Sequence, residues 1–482
     1  MMECSIYSRF VHVAEAHPAR TALVVEDHSY TYGDLRERID AFARGLLARD
    51  CTPSDAVAIL FPNSLDFIVA VLGTFAVGAK AVPLNPNFKL DEIEHALTAT
   101  AARFVLAPTK LLEALPDVPA SSDSVDAWSA PAEPLDAPSR RAEAAVYMFS
   151  SGSTGRSKRI TRSEAQLLAE YDALRRTIDL LPSDCILCTI PLFHAHGFGN
   201  ALFAALLTGA KLVLRTKEFN PRSTMRALVE HGVTLYPAVP FMFKMLAETR
   251  FAEPPDLRAV RLLFSAGAAL PESVSRSFLE RFGHPVAQLF GSTETGALSI
   301  NVAHPREKPT SVGRPLHGYA IEIRDEAGRA LPSGTKGEIW VKSPAMTRAY
   351  DGLDDMTTAC FVDGYFFTGD LGTMDDDGDL YIAERKKLLI NVAGFKVDPL
   401  EVEQVLARHP GVADVVVVGA PHPGYGEEVK AVVVAKAEDQ LSAEALGQYA
   451  AEHLTEYKVP KRIEFIAEIP RSPLGKVLRK YL

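Results

Sequence analysis

Cysteine is scarce in this chain, with five in 482 residues. An odd, sparse set cannot form a dense disulfide framework, so a small disulfide-stapled fold is excluded and a reducing compartment is expected. The one CxxC, Cys185 and Cys188, sits in the apolar run DCILCTIPL, which reads as a buried strand. No second pair completes a zinc site, so neither a metal nor a redox role is expected of it. Long apolar runs are also missing. The longest, Phe67 to Ala79, is too short to cross a bilayer, and the first residues, MMECSIYSRF, lack the apolar core of a signal peptide. The expectation is a cytoplasmic protein with no membrane span. Positive charge is in deficit: 51 Lys and Arg stand against 61 Asp and Glu, a formal net charge of -10. That balance argues against a nucleic-acid partner, because phosphate-backbone binding needs clustered cations. No short fixed repeat is present, which excludes a solenoid.

What is present is an ordinary globular composition, 47% hydrophobic and 23% charged, in a chain too long for one core. From Thr21 to Val105 the pattern alternates strand and helix: a hairpin in TALVVEDHSYTYGDL, a helix through Leu47, the strand AVAILF, the helix SLDFIVAVLGTFAVGA and the strand AVPL. A second cycle follows Thr161, with helices in SEAQLLAEYDALRRTI, GFGNALFAALLTGA and PRSTMRALVEHG between the strands CILCTI, KLVLR and TLYPAV. Interleaved strands and helices predict layered, parallel α/β structure. After Gly313 the texture changes to short strands and turns, YAIEIRDEAGRAL, GEIWVKS, YFFTGDLG and MDDDGDLYIAE, with Asp377-Gly378 expected as a type I′ turn. The acidic run Asp375 to Asp379 lacks EF-hand spacing and reads as a solvated turn. Beyond Arg385 comes a compact α+β pattern. The fold class is therefore α/β: a large N-terminal domain of layered α/β subdomains plus a β-rich hairpin subdomain, residues 1–385, then a small α+β C-terminal domain, residues 386–482.

Chemistry enters at Phe149-Ser-Ser-Gly-Ser-Thr-Gly-Arg-Ser-Lys158. Glycines let backbone N–H groups approach phosphate oxygens, hydroxyls add donors, and a Lys neutralises charge. The spacing is not that of a Walker A loop, since Arg159 and not Ser or Thr follows Lys158. Composition alone fits a plain surface loop equally well. Further segments then follow in order: Pro191-Leu-Phe-His-Ala-His-Gly197, Phe264-Ser-Ala-Gly-Ala-Ala-Leu270, Phe290-Gly-Ser-Thr-Glu294, Thr368-Gly-Asp370, Arg385-Lys-Lys with Asn391-Val-Ala-Gly394, and Pro470-Arg-Ser-Pro-Leu-Gly-Lys476. Together they resemble the adenylate-forming superfamily, acyl-CoA synthetases in particular, along essentially the whole chain.

The resemblance implies an enzyme that joins a carboxylic acid to ATP as acyl-AMP, releases pyrophosphate, and then transfers the acyl group, with a C-terminal domain that rotates between the two steps. It places the phosphates of ATP on Ser150, Ser151, Gly152, Ser153, Thr154, Gly155 and Lys158, the α-phosphate on Thr293, and Mg²⁺ on Glu294. Phe290 would stack on adenine, with Gly267, Ala268 and Gly291 lining it. Asp370 would hold the ribose hydroxyls and Arg385 the ribose or phosphate. Lys476 would bridge the substrate carboxylate and the phosphoryl oxygens during adenylation. Gly394 would leave room for the pantetheine thiol of CoA.

His194 stands where amino-acid-activating relatives carry an Asp that pairs the substrate ammonium. A buried ammonium is costly to leave unpaired, so a non-amino acid is expected, with His194 as a gate and His196 as a structural residue. Phe198, Tyr236, Phe241 and Phe264 are expected around the acyl cavity, which suits aryl or medium- to long-chain acids. CoA is the leading acceptor; an amine or a carrier-protein thiol is the alternative, and a nucleotide- or acyl-binding protein without catalysis is a second one. Three positions depart from the resembling pattern: Ser157 where Pro is usual, Arg159 where Gly is usual, and Leu388 where the hinge is usually Asp or Lys. The first two are expected to stiffen or recharge the phosphate loop, and the third to weaken domain alternation.

Overall fold

The computed structural model describes residues 5–115, 118, 120–131, 135, 143, 145–150, 158–253, 255–385, 389–436 and 441–470, without side chains at 150, 384 and 385. The chain divides into two compact units. One comprises Met1–Pro86, Ala96–Met148 and Arg159–Glu384; the other comprises Asn87–His95, Phe149–Lys158 and Arg385–Leu482.

The first unit is built on a nine-stranded sheet. Six strands run parallel side by side, in the spatial order Thr21–Val25, Lys211–Leu214, Cys185–Cys188, Leu235–Ala238, Leu262–Ser265 and Val286–Ser292. Strands covered on both faces need apolar side chains in both directions, which is why CILC and LYPA are buried at every position. Antiparallel strands His28–Thr31, Gly296–Ile300 and Arg314–Pro315 finish the edges. A six-stranded sheet orders Ala120–Ser122, Phe104–Leu106, Ala56–Ile59, Lys80–Pro83, Val146–Ser150 and Lys158–Arg162. The helix Leu65–Ala76 is apolar all round and buried from Phe67 onward, the behaviour of a helix enclosed by core on every side. The hairpin sheet orders Ala320–Arg324, Gly337–Lys342, Tyr365–Met374 and Phe361–Val362, with Leu380–Arg385 against Tyr365–Met374.

The parallel α/β cycles and the later hairpins fall where the residue patterns predict them. Two local expectations give way. GFGNALFAALLTGA is not a regular α-helix: Phe198–Phe203 is a π-helix between short helical turns Ala195–Gly197 and Ala204–Leu206. Thr368-Gly-Asp370 lies inside the strand Tyr365–Met374, with Gly369 at φ +81°. Asp377-Gly378 is not a type I′ turn, since Gly378 takes positive φ and Asp377 does not. The Gly378 N–H donates to Asp375 O (3.0 Å) and the Asp375 N–H to Asp379 O (3.0 Å), a three-residue loop closed by a glycine bulge.

Lys308 decides that turn. Its ammonium donates to Asp375 (2.7 Å), Asp377 (2.7 Å) and Asp379 (2.8 Å), and these bonds hold the lysine charged well above its ordinary range. The charge of the acidic run is thus partly offset by a cation from within the chain.

The second unit carries its own sheet, ordered Phe395–Val397, Ile390–Val392, Gly426–Ala435 and Val412–His422, with Arg462–Phe465 parallel to Gly426–Ala435. Helices Pro399–Leu406 and Ala443–His453 supply Val402, Leu406, Leu446 and Ala450 to its core. Lys458 is buried beside Glu401 (2.7 Å) and Glu92, so the short segment Asn87–His95 is tied into this unit by an ion pair. The type I′ pattern appears here, at Ala393-Gly394, where both residues have positive φ.

Candidate active site

The first unit gathers its candidate residues at the carboxyl ends of neighbouring parallel strands, the edge at which open α/β sheets bind ligands. The segment Pro191–Gly197 follows the strand Cys185–Cys188, Ala266–Leu270 follows Leu262–Ser265, and Phe290–Glu294 closes Val286–Ser292. The strands are held at these ends by side chains that the sequence pattern did not reveal. Asn63 donates to Ile190 O (3.0 Å) and accepts from the Leu192 N–H (2.8 Å), which anchors the histidine segment. Gln288 accepts from the Leu270 N–H (2.8 Å) and donates to Pro309 O (2.7 Å), which fixes the loop bearing Gly267 and Ala268; Gly267 itself takes φ +86°. An Asn or Gln in a loop or buried strand has no distinctive spacing, so these partners emerge only from the three-dimensional structure.

Thr293 and Glu294 occupy the tip of a tight hairpin. The Ser292 N–H donates to Thr295 Oγ1 (3.1 Å) and the Thr295 N–H returns to Ser292 O (3.3 Å). Glu294 is clasped twice: its carbonyl accepts from the Thr347 N–H (2.7 Å), and its Oε1 accepts from the Tyr350 hydroxyl (3.2 Å). Thr347 also donates to Thr161 O (2.9 Å), in the strand that begins at Lys158. Behind the tip, Gly296 takes φ +67°, and a Cβ there would lie 2.2 Å from the Glu170 carboxylate. Gly296→Ala therefore meets both backbone strain and a clash, and is expected to destabilise the protein by about 2–4 kcal/mol in urea denaturation. A loss under about 1 kcal/mol would mean that the hairpin yields at that point.

His194 caps the turn Ala195–Gly197, its ring accepting from the His196 N–H, and is half-buried. His196 is buried, with Nε2 donating to Ala238 O (3.1 Å) and Nδ1 accepting from Asn200 Nδ2 (2.9 Å). Burial pushes its ring down to about 3, so it is neutral at working pH. The two rings are thus not a metal pair. Because the folded pKa is depressed, the stability His196 contributes is complete above the ordinary value near 6.5 and is lost as pH falls below it. The expected loss is about 1.4 kcal/mol per pH unit. Denaturation of wild type and His196→Gln at pH 7.5 and 5 checks this, since equal acid sensitivity would remove His196 as the cause.

The four aromatic pocket candidates separate. Register pairs Pro237 with Phe264 and Tyr236 with Leu263, so Tyr236 and Phe264 project to opposite faces of the sheet. Phe264 packs edge-on against His196 (5.9 Å between ring centres), whereas Tyr236 packs against Phe243 (5.8 Å) and its hydroxyl bonds Thr189 (2.9 Å). Phe198 is buried on Phe203, and Phe241 is half-buried against Phe219. Period-two alternation along the strands thus gives the two rings different surroundings, Tyr236 beside Phe243 and Met242 and Phe264 beside His196.

Asp370 is buried on its strand, and its N–H donates to Thr368 Oγ1 (3.2 Å). Phe290 is half-buried and packs against the core of the hairpin subdomain; Gly291 beside it is exposed. Arg159 is held by Asp351 (2.7 Å) and lies over the Tyr147 ring (4.8 Å), so its charge is partly offset by Asp351.

Ser151, Gly152, Ser153, Thr154, Gly155, Ser157, Leu388 and Lys476 lie outside the described residues, as do the side chains of Ser150 and Arg385. Lys158, in the second unit, is buried. In that same unit burial pushes the Asp398 carboxyl up to about 6, against the Leu400 N–H and the Lys158 ammonium, which favour its charged form. Gly394 donates its N–H to Asn391 Oδ1 (3.1 Å) in the type I′ turn. Cys185 and Cys188 are buried three residues apart on one strand, pointing to opposite faces, and burial pushes the Cys188 thiol up to about 12.

Residues 10–351 match the family of AMP-binding enzymes, and residues 401–476 match the AMP-binding enzyme C-terminal domain. The chain belongs to the AMP-binding enzymes. It is similar to a feruloyl-CoA synthase of Amycolatopsis sp, 32% identical over 474 residues that cover 97% of this chain and 96% of that one. It is also similar to a fatty acid–[acyl-carrier-protein] ligase, ScoC, of Streptomyces coeruleorubidus, 32% identical over 97% of this chain and 94% of that one. Among solved structures, the amide bond synthetase McbA from Marinactinospora thermotolerans superposes with a TM-score of 0.91 at 29% identity, covering 99% of both chains. In this AMP-binding enzyme no helix among the described residues is long and apolar enough to cross a membrane.

Proposed function

We propose that this chain is an acid–thiol ligase that activates a non-amino carboxylic acid as acyl-AMP and passes the acyl group to CoA. The observation that carries the reading is the clasped hairpin of Thr293 and Glu294 beside the loop of Gly267 and Ala268, at the carboxyl edge of the parallel sheet, in a chain of the AMP-binding family. A carboxylate oxygen attacks the α-phosphorus of ATP, the bond to the β-phosphate breaks, and pyrophosphate leaves. The CoA sulfur then attacks the acyl carbon, AMP leaves, and the thiol proton passes to solvent.

Residue roles follow the sequence reading. Ser150 to Gly155 and Lys158 hold the phosphates, Thr293 the α-phosphate, Phe290, Gly267, Ala268 and Gly291 the adenine, and Asp370 and Arg385 the ribose side. Glu294 suits Mg²⁺, a hard cation that takes one or two protein carboxylates beside phosphate oxygens. Bound there, Mg²⁺ would neutralise phosphate charge. The backbone clasp from Thr347 and the Tyr350 hydroxyl hold the Glu294 carboxylate in place, and Lys476 adds a cation at the attacked phosphorus. His194, Phe198, Phe241 and Phe264 define the acyl side. The absence of an acidic partner in PLFHAHG supports an acid without an α-ammonium. A location in the cytoplasm and a domain boundary between Arg385 and Leu389 belong to the same reading.

An amine in place of CoA is the second reading, favoured by the likeness to McbA over 99% of both chains; the likeness to ScoC supports a carrier-protein thiol as a third acceptor. Pyrophosphate release over panels of aryl, fatty and dicarboxylic acids, with and without CoA, simple amines or a carrier protein, tests all three. Acyl-CoA formation is expected with an aryl or long-chain acid. Turnover only with amines would replace the acceptor, and no pyrophosphate from any acid would end the ligase reading.

A further inference from the structure

We infer that the buried ion pair Arg162–Glu170 is a positioning device for the Glu294 hairpin, and through it for binding of the metal–nucleotide; this rests on the reading above. Both side chains are nearly fully enclosed, 2% and 6% exposed, with Arg162 Nη1 2.7 Å from Glu170 Oε2. Burying two charges is expensive and gives weak evidence of stabilisation, so their position asks for another explanation.

Each end of the pair grips segments that meet around Glu294. Glu170 Oε1 accepts from the Ala297 N–H (2.8 Å), three residues past Glu294. The same oxygen lies 3.0 Å from where a Cβ on Gly199 would stand, so it also abuts the π-helix that continues the His194 segment. Arg162 closes the strand that begins at Lys158. Its Nε donates to Ala345 O (3.1 Å) and its Nη2 to Gln166 O (3.3 Å). Ala345 lies two residues before Thr347, whose N–H holds the Glu294 carbonyl, and Gln166 reinforces the same loop by donating to Met346 O (2.6 Å).

The circuit is closed: Arg162 to Ala345, along the chain to Thr347, across to Glu294, down the hairpin to Ala297, and back through Glu170 to Arg162. Glycine at 296 belongs to it, since only a residue without a side chain lets the carboxylate reach the hairpin backbone. A rigid ring of this kind sets where the Glu294 carboxylate stands relative to the strand leaving the phosphate loop. Neither Arg162 nor Glu170 is assigned contact with substrate.

The test is the double variant Arg162→Met/Glu170→Gln, which removes both charges while the Gln carbonyl still accepts from Ala297, and so avoids a lone buried charge. Adenylation is followed by acid-dependent pyrophosphate exchange, and binding of α,β-methylene ATP by calorimetry with and without Mg²⁺. In a folded variant, kcat/KM for ATP is expected to fall about 10–100-fold and the Mg²⁺-dependent Kd of the analogue to rise about 10-fold, with KM for the acid within about 3-fold. Wild-type values for nucleotide in a variant of normal or lowered Tm would overturn the inference and leave the pair a stability element. Equal losses for ATP and acid would overturn it too. Should the double variant fail to fold, Glu170→Gln alone is measured against the same criteria. Absence of exchange in the wild-type enzyme would instead count against the ligase reading, independently of the pair.

Discussion

Lys476→Ala lowers the adenylation rate by about 10²–10³-fold, the size seen when one preorganised charge-stabilising donor is lost. The attacked α-phosphorus carries growing negative charge on its oxygens as pyrophosphate departs, and the Pro and Gly of Pro-Leu-Gly-Lys476 are the residue types expected to restrict the chain that presents the ammonium. The loss is confined to one half-reaction. Offered as preformed acyl-AMP with CoA, the substrate is converted by the variant at a rate within about 3-fold of wild type, because a group that acts only in the first transition state leaves the second untouched. Pyrophosphate exchange near the wild-type rate, or equal damage to both half-reactions, would remove Lys476 from this role.

The second large effect belongs to Glu294. Glu294→Gln removes the hairpin's formal charge while keeping an acceptor for Tyr350, and adenylation falls by at least about 10²-fold, with a raised Mg²⁺ requirement. Thermal stability changes little, because among the described residues the side chain is bonded by Tyr350 at 3.2 Å while the tip is held chiefly by backbone and Thr295 contacts. Tyr350→Phe supplies the control: losing one neutral donor costs about 2–10-fold, the worth of an ordinary hydrogen bond. If Glu294→Gln and Tyr350→Phe lose the same modest factor, Glu294 orients a loop and does not hold a metal.

Much of the fold is legible in the sequence. Period-two and helical patterns mark the parallel cycles, and short apolar runs such as CILC and LYPA appear as buried strands because both faces of a parallel sheet demand apolar side chains. The ordered motifs, spread along the chain, point to the family that the whole-chain match bears out. The failures have definite causes. Around the π-helix, the His196–Asn200 bond and the carboxylate seated against Gly199 are contacts that helical periodicity does not show. Residue type says nothing about which face of a strand a side chain takes, and register alone separates Tyr236 from Phe264. Asn63, Gln288, Thr347 and Tyr350 leave no mark in the sequence because a polar residue that braces a loop carries no signature apart from its partner.

Lys308 among Asp375, Asp377 and Asp379 bears on how chelators act on this enzyme. Among the described residues those aspartates form the one grouping with metal-holding geometry, their ligand oxygens within 4.8 Å of one another. The occupant of that nest is covalently attached and cannot be extracted by EDTA. A chelator is therefore expected to leave the hairpin subdomain folded, so that any activity lost on chelation would report a divalent ion bound elsewhere.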